Sequence, residues 1–69
     1  MQGSELKEMR QKRLRLRQEQ FGAVVGVHYT TVSDWERGTA KIPHHAALLA
    51  TLMADDPLLR EKVLQMVEV

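Results

Sequence analysis

The sequence predicts an all-α chain built from five short helices. Apolar residues recur at helical spacing from Leu6 to Val67, and no run alternates with the period of two that a half-buried strand requires. Residues that start or stop helices punctuate this pattern: Ser4, Gly26, Gly38, Pro43 and Asp56-Pro57. The chain has 69 residues and no cysteine, so disulfides and the commonest zinc sites are excluded, which leaves helix packing or oligomerisation to supply the stability. The whole of residues 1–69 reads as one domain.

The first helix is expected to start at Ser4 as N-cap, with Glu5 and Glu8 suiting the positive end of its dipole. Leu6, Met9, the stem of Arg13 and Leu14 share its apolar face, and it ends around Arg13 to Arg15. The second helix spans Gln18 to Val25. Phe21, Val24 and Val25 form its apolar face, Gly22 and Ala23 permit close approach, and Gly26 ends it in the left-handed conformation. Arg17 stands at its N-cap, where no side-chain acceptor is available. The third helix spans Tyr29 to Arg37, with His28 at the N-cap and Gly38 as the stop. Val32 and Trp35 lie on one face, while Tyr29, Thr30, Ser33, Asp34 and Arg37 point outward.

Pro43 suits the first position of a fourth helix running to Ala54, apolar at Ala46, Ala47, Leu48, Leu49, Leu52 and Met53. Asp56 then caps a fifth helix, Pro57 to Val67, whose stripe is Leu58, Leu59, Val63, Met66 and Val67. That stripe either closes the core or forms a dimer surface. Met9, Met53 and Met66 read as gap-filling core residues.

Net charge is only +1, but its distribution is uneven. Residues 1–41 carry eight Lys/Arg against five Asp/Glu, whereas residues 42–69 carry two against four. Lys7, Arg10, Lys12, Arg13, Arg15 and Arg17 crowd into eleven positions. Such a run is either a solvated helix face or an electrostatic footprint for phosphate. No apolar run approaches the roughly 18 residues of a membrane span. The N-terminus lacks the apolar core of a signal peptide. The absence of cysteine fits a reducing cytoplasm. His44 and His45 are adjacent and so do not share a helix face; they read as a surface pair, and no metal or cofactor is expected. No catalytic constellation stands out, and no enzymatic activity is expected.

The segment Gly26 to Gly38, GVHYTTVSDWERG, carries the functional signal. Two helices joined by a glycine-containing turn form a helix-turn-helix candidate over residues 18–37. A small residue at 22 or 23 lets the helices cross, Gly26 turns the chain and Val27 plugs the corner. Val32 and Trp35 pin one face, leaving the other free for the major groove of DNA.

The run QEQFGAVVGVHYTTVSDWERG resembles the helix-turn-helix of the Xre family, which includes the Cro and lambda-type repressors. Gln18 and the ending Thr31, Val32, Ser33, Trp35, Glu36, Gly38 carry the likeness. Leu48-Leu49, Leu52 and Asp56-Pro57-Leu58-Leu59 are similar to the closing helices of antitoxins built on the same domain. The resemblance runs from about Ser4 to about Leu64 and implies a compact lambda-repressor-like fold. It further implies that Gln18 donates to a phosphate, that Tyr29, Thr30, Ser33 and Asp34 face base edges, and that Thr31 lies near the DNA backbone. Glu36 is expected to pair with Arg10.

Three departures from the family stand out. The segment between Arg10 and Gln18 is one residue longer than usual. Arg15 and Arg17 replace the common Gly and Ser/Thr, so Arg17 exchanges a cap for a phosphate contact. Asp34 stands where Arg, Gln or Asn is common. It either accepts from a cytosine amino group or is paired by Arg37 or another basic side chain.

These readings imply a transcriptional regulator, repressor-like, that binds double-stranded DNA as a homodimer on a pseudo-palindrome. Its DNA-binding residues would be Arg17, Gln18, His28, Tyr29, Thr30, Thr31, Ser33, Asp34 and Arg37. The rival reading is a protein-interaction module, or an antitoxin whose main partner is a toxin protein. Near-neutral net charge, Asp34 and the acidic last third favour that rival.

Overall fold

In the computed structural model, which describes residues 1–67, the chain forms five α-helices and one π-wound segment. They are α1 (Gly3–Glu8), a π-wound continuation (Met9–Leu14), α2 (Gln18–Val25), α3 (Tyr29–Arg37), α4 (His44–Asp55) and α5 (Pro57–Val67). No strand occurs among the described residues. The C-terminal ends of α2 and α3 and the start of α5 fall where the sequence places them, because each is set by a local device. Gly26 and Gly38 adopt φ of 82° and 81°. The Asp56 carboxylate accepts from the N–H groups of Leu58 and Leu59, at 3.1 and 3.2 Å, and so caps α5.

Two boundaries differ. Ser4 is not the N-cap of α1. Gln2 holds that place, and its N–H donates to Glu5 Oε1 at 2.9 Å. An acceptor three residues on selects the cap here, in half of a capping box. Pro43 is the N-cap of α4 rather than its first helical residue, and the helix reaches Asp55.

The π winding was not foreseen. The Arg10 carbonyl accepts from the Arg15 N–H, five residues on, and from the Leu16 N–H at 3.0 Å. Leu6 before this segment and Leu14 at its end are both fully buried. Eight residues apart, they would stand about 80° apart around an unbroken α-helix. The wider π turn rotates less per residue and brings Leu14 back toward the Leu6 side.

The core comprises Leu6, Leu14, Leu16, Phe21, Val32, Trp35, Ala46, Ala50 and Met53. Leu16, between two exposed arginines, was not anticipated. Several expected core residues lie elsewhere. Leu48 and Leu52 are about half exposed, Leu58 is 75% exposed and Met66 82% exposed. The Arg13 side chain is also exposed and reaches Asp55, Nη2 to Oδ1 at 3.2 Å. No residue of α5 is fully buried. It lies against the core through Val63 and Leu64, and Arg60 Nε donates to the Leu14 carbonyl at 2.8 Å. No helix among the described residues is long and apolar enough to cross a membrane.

Candidate nucleic-acid interface

The geometry of α2 and α3 is set by three residues of the turn. Gly22 sits where a Cβ would lie 2.6 Å from the Val27 carbonyl oxygen, so any side chain would force the backbones apart. Val27 N–H donates to the Gly22 carbonyl at 2.8 Å, and Gly26 supplies the left-handed residue between them. Glycine at 22, rather than Ala23, is therefore the residue that allows the crossing. Below the turn, Phe21, Val32 and Trp35 are buried, which holds α3 by one face.

The His28 imidazole caps α3. Nδ1 accepts from the Thr30 N–H at 3.3 Å and lies 2.9 Å from Thr30 Oγ1. In that role Nδ1 acts as an acceptor through its ring lone pair. The His28 and Tyr29 rings lie against each other with centroids 4.6 Å apart. His28, Tyr29, Thr30 and Arg37 are exposed, whereas Thr31, Ser33 and Asp34 are half-buried. The outward face of α3 thus contains each of the positions assigned to it from sequence.

Its charges are internally matched. Arg37 Nη2 contacts Asp34 Oδ1 at 2.5 Å, one turn away on the same helix. This is the pairing that the acid at position 34 suggested. The Asp34 carbonyl in turn accepts from Thr39 N–H at 3.0 Å and from Thr39 Oγ1 at 3.2 Å, closing the end of the helix.

A buried polar network ties the C-terminal end of α3 to the rest of the chain. Arg10 Nε and Nη2 donate to the two carboxylate oxygens of Glu36, at 2.6 and 3.0 Å. Arg10 Nη1 donates to the Leu16 carbonyl at 2.9 Å. The pair expected from sequence is therefore present despite the longer segment after Arg10, which the π turn takes up. The Gln18 amide donates to Glu36 Oε1 at 3.1 Å. One of its two amide hydrogens is committed to this bond, leaving the other for an outside acceptor. Arg17 is exposed, with its backbone N–H donating to Gln20 Oε1 at 2.8 Å. The poorly capped end of α2 is thus served from inside the helix.

Gly3 completes the support. A Cβ there would lie 2.3 Å from the Trp35 carbonyl oxygen and 2.5 Å from that of Glu36. The start of α1 therefore abuts the end of α3 at backbone distance. A glycine at a helix start was the available signal, but it is too common a placement to single out one contact.

This arrangement is a scaffold that presents one polar helix face. Among the described residues no group of His, Cys, Asp or Glu side chains is placed to hold a metal ion. A model of the helix-turn-helix family matches residues 6–48, which takes in α2, α3, the Arg10 anchor and the start of α4. No curated protein and no solved structure matches the chain significantly. The match covers more than half of the sequence, and the all-helical fold agrees with it: the chain belongs to the Xre-like, Cro-type helix-turn-helix family of DNA-binding regulators, on a five-helix lambda-repressor-like fold.

Proposed function

We propose that the protein is a sequence-specific, repressor-like transcriptional regulator that acts in the cytoplasm by placing α3 in the major groove of an operator. The observation that carries this reading is the division of α3 itself. Val32 and Trp35 are buried, while His28, Tyr29, Thr30 and Arg37 are exposed around a helix whose end is held by a buried network. A rigid helix with a free polar face is what base reading requires.

Under this proposal Tyr29, Thr30, Ser33 and Asp34 meet base edges, with Arg37 at the end of that face. Thr31 and His28 lie near the backbone, and Arg17 and Gln18 anchor phosphates. Gln18 keeps its bond to Glu36 while its second amide hydrogen meets the phosphate. The 69 residues act as one DNA-binding unit. One such unit offers few base contacts, so the active species is a homodimer on half-sites about one helical turn apart. Selection of duplexes from a random pool tests this. The expected result is an enriched pseudo-palindrome; a pool that shows no enrichment over input overturns sequence specificity.

A second reading has its own support. Leu58 and Met66 are exposed on α5, and Leu48 and Leu52 are half exposed on α4. Apolar side chains left in water fit a protein-interaction role, such as an antitoxin bound to a toxin protein. A duplex that fails to bind even at low salt would favour this reading over the first.

A further inference from the structure

We propose that the turn Arg15–Arg17 is a preset phosphate grip, in which Arg15 gives up folding stability for a contact to the DNA backbone. The proposal rests on the DNA-binding reading above. Arg15 is the only non-glycine residue with positive φ among the described residues, at 55°. A Cβ in that conformation crowds the following carbonyl, whereas glycine would adopt it freely. Among the described residues, the Arg15 side chain makes no hydrogen bond or ion pair that would offset the strain. The strained backbone at Arg15 thus has no polar side-chain contact in the fold to offset it, which points to a role outside the fold.

The other cations of the N-terminal run sharpen the point. Arg10 faces Glu36, Lys12 lies 4.0 Å from Glu8, and Arg13 faces Asp55. Lys7, Arg15 and Arg17 have no carboxylate partner among the described residues. Two of these three free cations thus flank one buried residue, Leu16.

The turn that bears them is firmly placed. Leu16 N–H donates to the Arg10 carbonyl at 3.0 Å, and the Leu16 carbonyl accepts from Arg10 Nη1 at 2.9 Å. The same guanidinium holds Glu36 in the last turn of α3. The turn and α3 share one buried anchor, so the charges at 15 and 17 keep a set offset from the helix that enters the groove. A preorganised contact loses less ordering entropy on binding than a flexible one. Phosphate is the matching ligand, because a guanidinium presents forked donors to paired oxygens.

The experiment compares wild type with Arg15→Gly, Arg15→Asn and Arg15→Lys. Each is titrated against a mixed-sequence duplex of about 20 base pairs, between roughly 50 and 200 mM salt. Thermal unfolding is followed in parallel. Arg15→Gly and Arg15→Asn should melt higher, by on the order of 4 °C, since both residues tolerate positive φ. The same two should bind about three- to tenfold more weakly at the lowest salt, with a log–log salt slope shallower by about 0.9. Arg15→Lys should keep the wild-type slope. Unchanged affinity and slope in the Gly and Asn variants would overturn the proposal, as would weaker binding at an unchanged slope. A wild-type protein that binds no duplex at low salt would instead overturn the DNA-binding reading, and this grip with it.

Discussion

Replacing Arg10 by alanine tests the support of α3 most directly. The Arg10 and Glu36 side chains are only 7% and 3% exposed, and two short hydrogen bonds join them. Arg10→Ala would leave the Glu36 carboxylate buried with only the Gln18 amide, and the Leu16 carbonyl without its side-chain donor. Removing one partner of a buried ion pair typically costs about 3–5 kcal/mol, mostly from the stranded charge. A domain of this size has a total stability on the order of 3–10 kcal/mol. The variant should therefore lose most of its stability, and its melting temperature should fall by at least about 12 °C. Urea denaturation at low and at high salt is the assay. The loss should persist at high salt, because a buried pair is screened little. A cost below about 1 kcal/mol, of the size usual for exposed pairs, would refute the argument that this pair anchors α3.

Other substitutions probe separate parts of the design. Gly22→Ala should destabilise by about 1–3 kcal/mol in thermal melts, although alanine is the better helix former, because the new Cβ meets a carbonyl oxygen at 2.6 Å. Asp34→Ala should leave stability within about 0.5 kcal/mol, since the Asp34–Arg37 pair is exposed. The same change should alter duplex preference by about 1–3 kcal/mol at a single base pair; equal strengthening of all duplexes would reduce Asp34 to a repulsive charge. Asp56→Ala removes two N-cap hydrogen bonds and should cost about 1 kcal/mol. Amide hydrogen exchange should show that loss concentrated in the first turn of α5.

The helix-turn-helix was legible in the sequence because its determinants are local. Gly26 and Gly38 stop their helices through their own backbone freedom, and Asp56-Pro57 starts α5 through its own side chain. The buried side of α3, Val32 and Trp35, follows from spacing alone. What escaped depends on contacts between distant segments. The π turn over Met9–Leu14 contains no glycine or proline to announce it. Leu16 sits between two arginines, and its burial comes from packing in a core assembled from distant segments. On α4 and α5, composition overstated the core. Leu48, Leu52, Leu58 and Met66 have the apolar character of core residues, but the helices beside them are too few to cover them. Of the α3 residues expected to point outward, Tyr29, Thr30 and Arg37 are exposed and Ser33 and Asp34 half-buried. The pairing of Arg37 with Asp34 was one of the sequence alternatives, whereas that of Gln18 with Glu36 needed the structure.

These pairings reveal an asymmetry in how α3 is held. Its C-terminal end is fixed from three directions: by the Gly3 backbone, by Arg10 and by Gln18, all converging on Trp35 and Glu36. Its N-terminal end is held by the His28 cap, the turn at Gly26 and the close approach of Gly22 to the backbone of residues 27–29, and Tyr29 stands 45% exposed there. The backbone of α3 is therefore fixed at both ends, by buried charge-assisted bonds at one and by close backbone packing at the other, while the exposed side chains of its first turn remain free to adjust. On the proposed reading, this separates positioning from selection. Arg10, Gln18 and the turn at Arg15–Arg17 locate the helix against the phosphates, and Tyr29 and Thr30 choose among sequences at the adaptable end. Substitutions in the first group should then shift affinity for all duplexes together, and those in the second should reorder the preferred sequences.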